Sequence, residues 1–286
     1  MAAVRELRGY IDTSGDAYDR AERSMALGCY VSDCEKWEKF EYHWSQVLGD
    51  YKIPYLHMSE MWDRNSPVYA HLRQSDKLPS LFQDLSSVIR DNITYCITSR
   101  LRVGDLRQFN SDHGLTLDGY SVCLYGLIIS AREKWLNSEP MNWVLDKISK
   151  PHSVVQCAKS YAATDIWNDL QSDLITITPL EESESWKTAL PLQACDWMAW
   201  ELNKSNRERL SWVISNEDMK TQGSLYHAHR EWRKKRIEQT GRPVHDDRKS
   251  AWALYKATDQ SGFLWDYETL MGAHINRQKR RWGMRD

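Results

Sequence analysis

RGYIDTSGD, residues 8–16, supplies a short apolar strand followed directly by an acidic turn. The strand covers residues 8–12 and ends at Asp12. Gly15 can adopt a positive φ, which lets the chain reverse tightly and brings Asp16 near Asp12. Two carboxylates this close repel each other unless a cation or a proton lies between them. The stretch therefore predicts either a site for a hard cation such as Mg²⁺ or a polar turn that only caps the strand.

Two later segments also place a carboxylate in an apolar setting. NWVLD at residues 142–146 predicts a strand that ends in Asp146. PLQACDWMA at residues 191–199 predicts a helix in which Asp196 interrupts apolar residues. Because burying a carboxylate without a partner costs several kcal/mol, Asp196 needs a positive partner, a metal ion or an edge position in water.

Strands and helices alternate over the first two hundred residues. Strands are predicted at 8–12, 25–32, 54–58, 93–98, 142–146 and 174–178. Helices are predicted at 33–48, 79–91, 119–136, 154–170 and 191–202. Two opening strands followed by this alternation indicate an α/β core with a mixed sheet. We expect a first domain at residues 1–205.

Residues 206–286 are expected to form a basic, Trp-containing helical extension, with helices at 224–238, 246–257 and 263–281. Residues 220–286 carry 15 Lys and Arg against 8 Asp and Glu, whereas residues 1–219 carry 23 against 32. This uneven distribution of charge is compatible with a polyanionic ligand bound by the extension. It is also compatible with two ordinary solvated surfaces. Of the 14 tryptophans, four lie among these cations, where they would either stack on bases or pack internally.

The bulk composition excludes several classes of protein. The 286 residues include six cysteines without a C-x-x-C pair, which indicates reduced side chains in a cytoplasmic protein. No run approaches the length of a membrane span, and residues 1–12 do not have the apolar stretch of a signal peptide. There is no P-loop, Rossmann glycine fingerprint or G-x-S-x-G elbow.

Four segments in this order resemble one known family over roughly residues 8–205. IDTSGD is similar to the family's I-D-E-S-G-D motif, and LHMSE at 56–60 to its L-H-x-S-E segment. VLD at 144–146 and PLQACDWMA resemble its internal strand and its late L-Q-x-A-D helix. The family is domain of unknown function 3800 (DUF3800), and the resemblance implies a ribonuclease-H-like fold, a mixed sheet flanked by helices. This chain departs from the pattern at Thr13, where the family usually has Glu.

The ribonuclease-H-like resemblance also implies a shared site, because that fold brings carboxylates of the first strand, a later strand and a late helix together. The implied catalytic and metal-binding residues are Asp12, Asp16, Asp146 and Asp196, with Mg²⁺ or Mn²⁺ as cofactor. The expected substrate-contacting residues are Ser14, His57, Glu60, His152 and Gln193. Histidines such as these are more often ordinary surface or core residues, and Gln193 is also compatible with capping a backbone group.

The leading function is that of a metal-dependent phosphodiesterase or nuclease, in which two metal ions activate water and stabilise the leaving oxygen. A binding module with a degenerate acidic site is the first alternative, and Thr13 favours it. A small-molecule metal enzyme using the same carboxylates is the second. The expected partner is nucleic acid or another phosphate-bearing substrate, no membrane is expected, and a homo-oligomer is compatible with the sequence.

Overall fold

The computed structural model describes residues 6–15, 24–75, 77–135, 141–146, 175–179, 187–215 and 259–265. Asp16 and His152 lie outside these ranges. So do the helices predicted at 154–170, 224–238 and 246–257. The three remaining predicted carboxylates all lie within the described part of the chain.

A six-stranded mixed sheet forms the centre of the fold. Its strands are β1 (Leu7–Ser14), β2 (Ser24–Asp33), β3 (Tyr95–Arg102), β4 (Met141–Leu145), β5 (Ile175–Pro179) and β6 (Asp259–Trp265). The spatial order is β5-β4-β1-β2-β3-β6. Strands β1, β2 and β3 are antiparallel, while β4, β5 and β6 each run parallel to the neighbour they join. The predicted mixed sheet is confirmed.

Helices cover both faces of the sheet. They are α1 (Cys34–Asp50), α2 (Met58–Trp62), α3 (Ala70–Arg73), α4 (Leu78–Asn92), α5 (Val103–His113), α6 (Gly119–Trp135) and α7 (Leu190–Ser215). One apolar core lies beneath α5 and α6. The other lies beneath α1 to α4 and α7. The α/β class with flanking helices is thus confirmed, although α5 was not predicted from the sequence.

Helix α1 illustrates how local sequence fixes these elements. The Asp33 side chain accepts a 2.9 Å hydrogen bond from the Lys36 N–H, which caps the helix. Trp37, Phe40 and Trp44 then recur at helical spacing and are all buried. The polar cap determines where the helix begins, and the apolar stripe determines which face is buried.

Three predicted elements need correction. Residues 54–58 do not form a strand, because the N–H groups of Leu56 and Met58 bond to side chains of α7 and not to a neighbouring strand. Helix α7 runs past the predicted end at 202, to Ser215. Residues 263–265, predicted as helix, belong to β6, because the free edge of β3 offers backbone hydrogen bonds to that segment.

The predicted extension therefore contributes at least one strand to the central sheet. β6 pairs with β3 from Tyr95↔Asp259 to Leu101↔Trp265. The division at residue 205 otherwise stays a prediction, since most of 206–286 lies outside the described residues. No helix in the described ranges is long and apolar enough to cross a membrane.

Candidate active site

Strand pairing places Asp12 and Asp146 side by side. β4 runs parallel to β1 in a register that ends at Ile11↔Leu145. The Asp146 N–H then donates to the Ile11 carbonyl oxygen at 2.9 Å, which extends the alignment by one residue. Because aligned residues on neighbouring strands point to the same face of a sheet, the two carboxyl groups meet.

Helix α7 brings the third carboxylate to the same face. It crosses the sheet at Gly28, which is the register partner of Asp12 on β2. A Cβ atom at Gly28 would lie 3.1 Å from the Ala199 nitrogen and 3.2 Å from the Cys195 carbonyl oxygen. The backbone of α7 can therefore pack directly against this glycine. This close approach places Asp196 beside Asp12.

The three carboxyl groups line one cavity of about 120 Å³, together with Thr13, His57, Leu192 and Gln193. Burial raises the pKa of Asp12 well above its usual range, and the negative charges of Asp196 and Asp146 raise it further. Burial raises the pKa of Asp196 to about 6, although the hydrogen bond from the Met58 N–H opposes that shift. The cavity thus disfavours negative charge on its own carboxyl groups and favours a bound proton or cation.

Gln193 and Asp196 also fasten residues 56–58 to α7. The buried Gln193 Oε1 accepts hydrogen bonds from the Leu56 N–H at 2.9 Å and from Trp44 Nε1 at 3.1 Å. Asp196 Oδ2 accepts from the Met58 N–H at 2.7 Å. Because Gln193 and Asp196 are three residues apart, they share a helix face. Two of the segments that carried the family resemblance are therefore in direct contact.

His57 stands at the wall of the cavity, immediately before α2. Its backbone N–H donates to the Tyr69 hydroxyl at 3.0 Å. Its Nδ1 lies 3.4 Å from Glu60 Oε1, and Glu60 Oε2 accepts a 2.7 Å hydrogen bond from the Tyr55 hydroxyl. Glu60 thus contacts the histidine but does not itself line the cavity.

Ser14 occupies a supporting position near the end of β1. Its hydroxyl lies 3.4 Å from Asn203 Nδ2, while Asn203 Oδ1 accepts a 2.5 Å hydrogen bond from Ser24. Gly15 has φ +85°, as expected, and a Cβ there would lie 2.5 Å from the Ser24 carbonyl oxygen. Asn203 was not predicted. It lies four residues after Ala199 on the core face of α7. A polar residue at a position spaced for the core was the sequence signal that could have identified it.

The structure therefore brings five of the predicted site residues to one cavity: Asp12, Asp146, Asp196, His57 and Gln193. Ser14 and Glu60 contact residues around it but do not line it. Asp16 and His152 lie outside the described residues, so their predicted roles stay predictions. The polar atoms of Gln193 are bonded to Trp44, Leu56 and Lys187, which matches its backbone-capping alternative.

The chemistry of the donor set suits a hard divalent cation. Carboxylate oxygens are the ligands that Mg²⁺ and Mn²⁺ prefer, and a cation would relieve the repulsion that raises the pKa of Asp12. Within the described ranges, however, no group of three or more His, Cys, Asp or Glu side chains is arranged to hold a metal ion. The donors fit the ion in kind, while a complete coordination set is not formed by the described side chains.

Comparison with known proteins yields similarities of structure alone. No family model matches the sequence, and no curated protein matches it. Ribonuclease H2 from Pyrococcus horikoshii OT3 is similar at a TM-score of 0.41 and 11% identity, covering 87% of this chain and 99% of that one. A mutant of Bst-RNase HIII is similar at 0.35 and 9%, covering 69% and 52%. At these TM-scores the two similarities establish neither a fold family nor a residue role for this chain, so the ribonuclease-H-like fold stays a prediction.

The close approach at Gly28 makes a testable prediction. Gly28→Ala is expected to lower the free energy of unfolding by about 1–3 kcal/mol, because two backbone atoms of α7 would have to move. Gly49→Ala is the matched control. It lies in α1 with nothing within 4 Å of its Cβ position, so about 0.5–1 kcal/mol of stabilisation is expected. Urea denaturation measures both, and equal stability of Gly28→Ala and the wild type would contradict the proposed contact.

The raised pKa of Asp196 makes a second prediction, for protein stripped of metal. The pKa of Asp196 is about 6 in the folded protein and near 4 in the unfolded chain. The protonated carboxyl group therefore stabilises the fold fully below about pH 4, and this stability is lost as the pH rises through about 6. The loss should be on the order of a few kcal/mol. Melting temperatures in EDTA should therefore fall across this range, and Asp196→Asn should flatten the fall. The exposed Asp50→Asn should leave the profile unchanged, and an Asp196→Asn profile as steep as that of the wild type would contradict the assignment.

Proposed function

We propose that this chain is a divalent-metal-dependent phosphodiesterase or nuclease and that it belongs to the DUF3800 family. The supporting observation is that Asp12, Asp146 and Asp196, contributed by two strands and a late helix, line one cavity in which negative charge is disfavoured. A nuclease site of this kind needs three or four carboxylates. Asp16, four residues after Asp12, is proposed as the fourth.

The cavity size supports a phosphoryl group in preference to a whole small molecule. Its volume of about 120 Å³ is well below the roughly 300–1,000 Å³ typical of pockets that enclose a small ligand. It would accept one tetrahedral group and leave the rest of the substrate on the surface. This argues for a phosphodiester within a longer chain and against the small-molecule alternative.

Four of the side chains that line the cavity have a proposed part in the reaction. Asp12, Asp146 and Asp196 would hold Mg²⁺ or Mn²⁺. The bound ion would supply an activated water and neutralise charge on the phosphoryl oxygens. His57, kept in place by Glu60, is close enough to a site carboxylate to lower the pKa of Asp196. It is proposed to orient a substrate oxygen or to pass a proton near neutral pH.

A degenerate binding module is the second candidate, and Thr13 favours it. This residue lines the cavity at the position where the resembled motif has Glu, so one carboxylate that the family usually supplies is replaced by a hydroxyl. Such a module would bind a phosphate-bearing ligand without hydrolysing it. Thr13→Glu should then confer cleavage on a chain that otherwise has none.

The test is hydrolysis by the full chain with and without metal. Labelled single-stranded and duplex nucleic acids and a small chromogenic phosphodiester are incubated with the EDTA-treated protein, before and after addition of Mn²⁺ or Mg²⁺. Metal-dependent cleavage that EDTA reverses is expected. Binding without cleavage, together with gain of cleavage in Thr13→Glu, would instead establish the degenerate module.

A further inference from the structure

An aromatic surface lies one helical turn from the site carboxylate on α7. Asp196, Trp200 and Lys204 follow one another at four-residue spacing, so they share one side of the helix. At 1.5 Å per residue, Trp200 lies about 6 Å and Lys204 about 12 Å beyond Asp196 along the helix axis. The row therefore leads directly away from the cavity.

Helix α2 supplies the second half of this surface. Asp196 accepts the Met58 N–H at the start of α2, and Trp62 at its end stacks on Trp200 with ring centroids 5.9 Å apart and planes within 10° of parallel. The second contact lies four residues after the first on both helices. The two helices therefore run side by side away from the cavity. We call Trp62, Trp200 and Lys204 the tryptophan platform.

A positive charge lies over the two rings. Lys204 Nζ is 4.6 Å from the ring centroid of Trp200 and 5.7 Å from that of Trp62. These distances are within the range of cation–π attraction, which holds the ammonium group beside the aromatic faces. Aromatic faces and a lysine so combined are the two elements that single-stranded nucleic acid requires, one for bases and one for phosphates.

Internal packing does not account for all of the platform. Both tryptophans are only half-buried, and so is Lys204. Among the described residues, Trp62 Nε1 has no hydrogen-bond partner, although a buried indole N–H usually has one. The Arg73 guanidinium meanwhile donates to the carbonyl oxygens of Met61 at 3.0 Å and Ser66 at 2.5 Å. This clamp fixes the chain on either side of Trp62, so the platform is preorganised.

We infer that the tryptophan platform binds the nucleotide adjacent to the reacting phosphate of a single-stranded nucleic acid. The inference rests on the proposed function, since it takes the phosphoryl group to lie in the carboxylate cavity. One base stacks against the exposed aromatic surface of Trp200 and Trp62, and Lys204 contacts the following phosphate. The platform begins one helical turn beyond Asp196 and carries the charge that a strand requires, so the inferred substrate class is a single strand.

The first experiment measures binding apart from cleavage. Fluorescence anisotropy of short labelled RNA and DNA single strands is recorded with the full chain in EDTA at several salt concentrations. Trp200→Ala should weaken binding roughly 5- to 150-fold, the range expected for one stacked base. Lys204→Gln should weaken binding and lower the salt slope by about 0.7 for one lost phosphate contact.

Matched controls come from the exposed face of α1. Tyr42→Ala removes an aromatic side chain that is 63% exposed, and Lys39→Ala removes an exposed lysine. Neither should change affinity. Trp200→Phe keeps an aromatic face and should retain most of the binding. If Trp200→Ala does not fold, Lys204→Gln still carries the test, because glutamine keeps most of the side-chain volume and removes the charge.

The second experiment asks whether a base is what the platform contacts. A probe in which abasic nucleotides replace successive bases should bind the wild type more weakly than the intact strand does. Trp200→Ala should bind both probes equally, because its base contact is already lost. An abasic probe that binds the wild type as well as the intact strand would overturn the stacking.

The outcomes separate this inference from the proposed function. Folded Trp200→Ala and Lys204→Gln proteins with wild-type affinity would overturn the platform and leave the hydrolytic proposal standing. Failure of the wild type to bind any single strand would also overturn it, while hydrolysis of the small phosphodiester would still test the carboxylate site. Loss of hydrolysis with intact strand binding would refute the proposed activity alone.

Discussion

Asp12→Asn is expected to reduce metal-dependent hydrolysis about a thousandfold, with little loss of folding stability. Metal ions supply several kcal/mol of charge stabilisation in such reactions, and each 1.36 kcal/mol is tenfold in rate. Asp12 lines the cavity, and its pKa is raised by burial and by the negative charges of Asp196 and Asp146. An asparagine keeps the shape of the side chain and can still accept the 2.6 Å hydrogen bond from the Thr13 N–H.

Metal binding by the same variant is read from melting temperature. Mn²⁺ should raise the melting temperature of the wild type, because a ligand that binds only the folded state stabilises it. Asp12→Asn should lose most of that rise, whereas the exposed Asp50→Asn should keep it. A full Mn²⁺ response in Asp12→Asn would place the ion elsewhere, and unchanged hydrolysis in that variant would remove Asp12 from the proposed site.

Gln193→Leu is expected to have the largest effect on stability, about 3–5 kcal/mol. The substitution removes the acceptor of Trp44 Nε1 and of the Leu56 N–H, and also the donor to the Lys187 carbonyl oxygen at 2.9 Å. Each buried polar group left without its partner costs about 1–3 kcal/mol. Leucine fills a similar volume, so the loss would come from hydrogen bonding and not from a cavity.

The exposed Gln83→Leu on α4 is the control, with an expected change within about 0.5 kcal/mol. Gln193→Glu should be intermediate, because a carboxylate accepts the two N–H groups but cannot donate to Lys187. Urea denaturation gives the free energies of unfolding. A Gln193→Leu protein as stable as the wild type would show that residues 56–58 are held by other contacts.

Much of the fold follows from local pattern. The strand carrying Asp12, the strand that precedes Asp146 and the helix carrying Asp196 were all predictable, because apolar periodicity is a property of short segments. The first strand runs past its predicted end at Asp12 to Ser14. Helix α5 was not found, since VGDLRQFNSDH has only three buried residues, Val103, Leu106 and Phe109. A weak apolar stripe leaves a short helix indistinguishable from a polar loop.

The C-terminal segment was misread for a related reason. Residues 263–265 lie in β6, whose neighbour β3 is remote in sequence. An aromatic and apolar run of this length is compatible with either helix or strand. The unpaired edge of β3 selects the strand, and no local pattern reveals that such an edge exists.

The amino-acid order alone carries the identities of the site residues and the elements that bear them, because each depends on neighbours within a few positions. Only the folded chain establishes what these residues do to one another. Leu56 and Met58 meet Gln193 and Asp196 across 137 and 138 residues, and the pKa of Asp196 reaches about 6 through burial. Hydrogen bonding and desolvation act between atoms that are near in space, so they arise only once α7 has packed against Gly28.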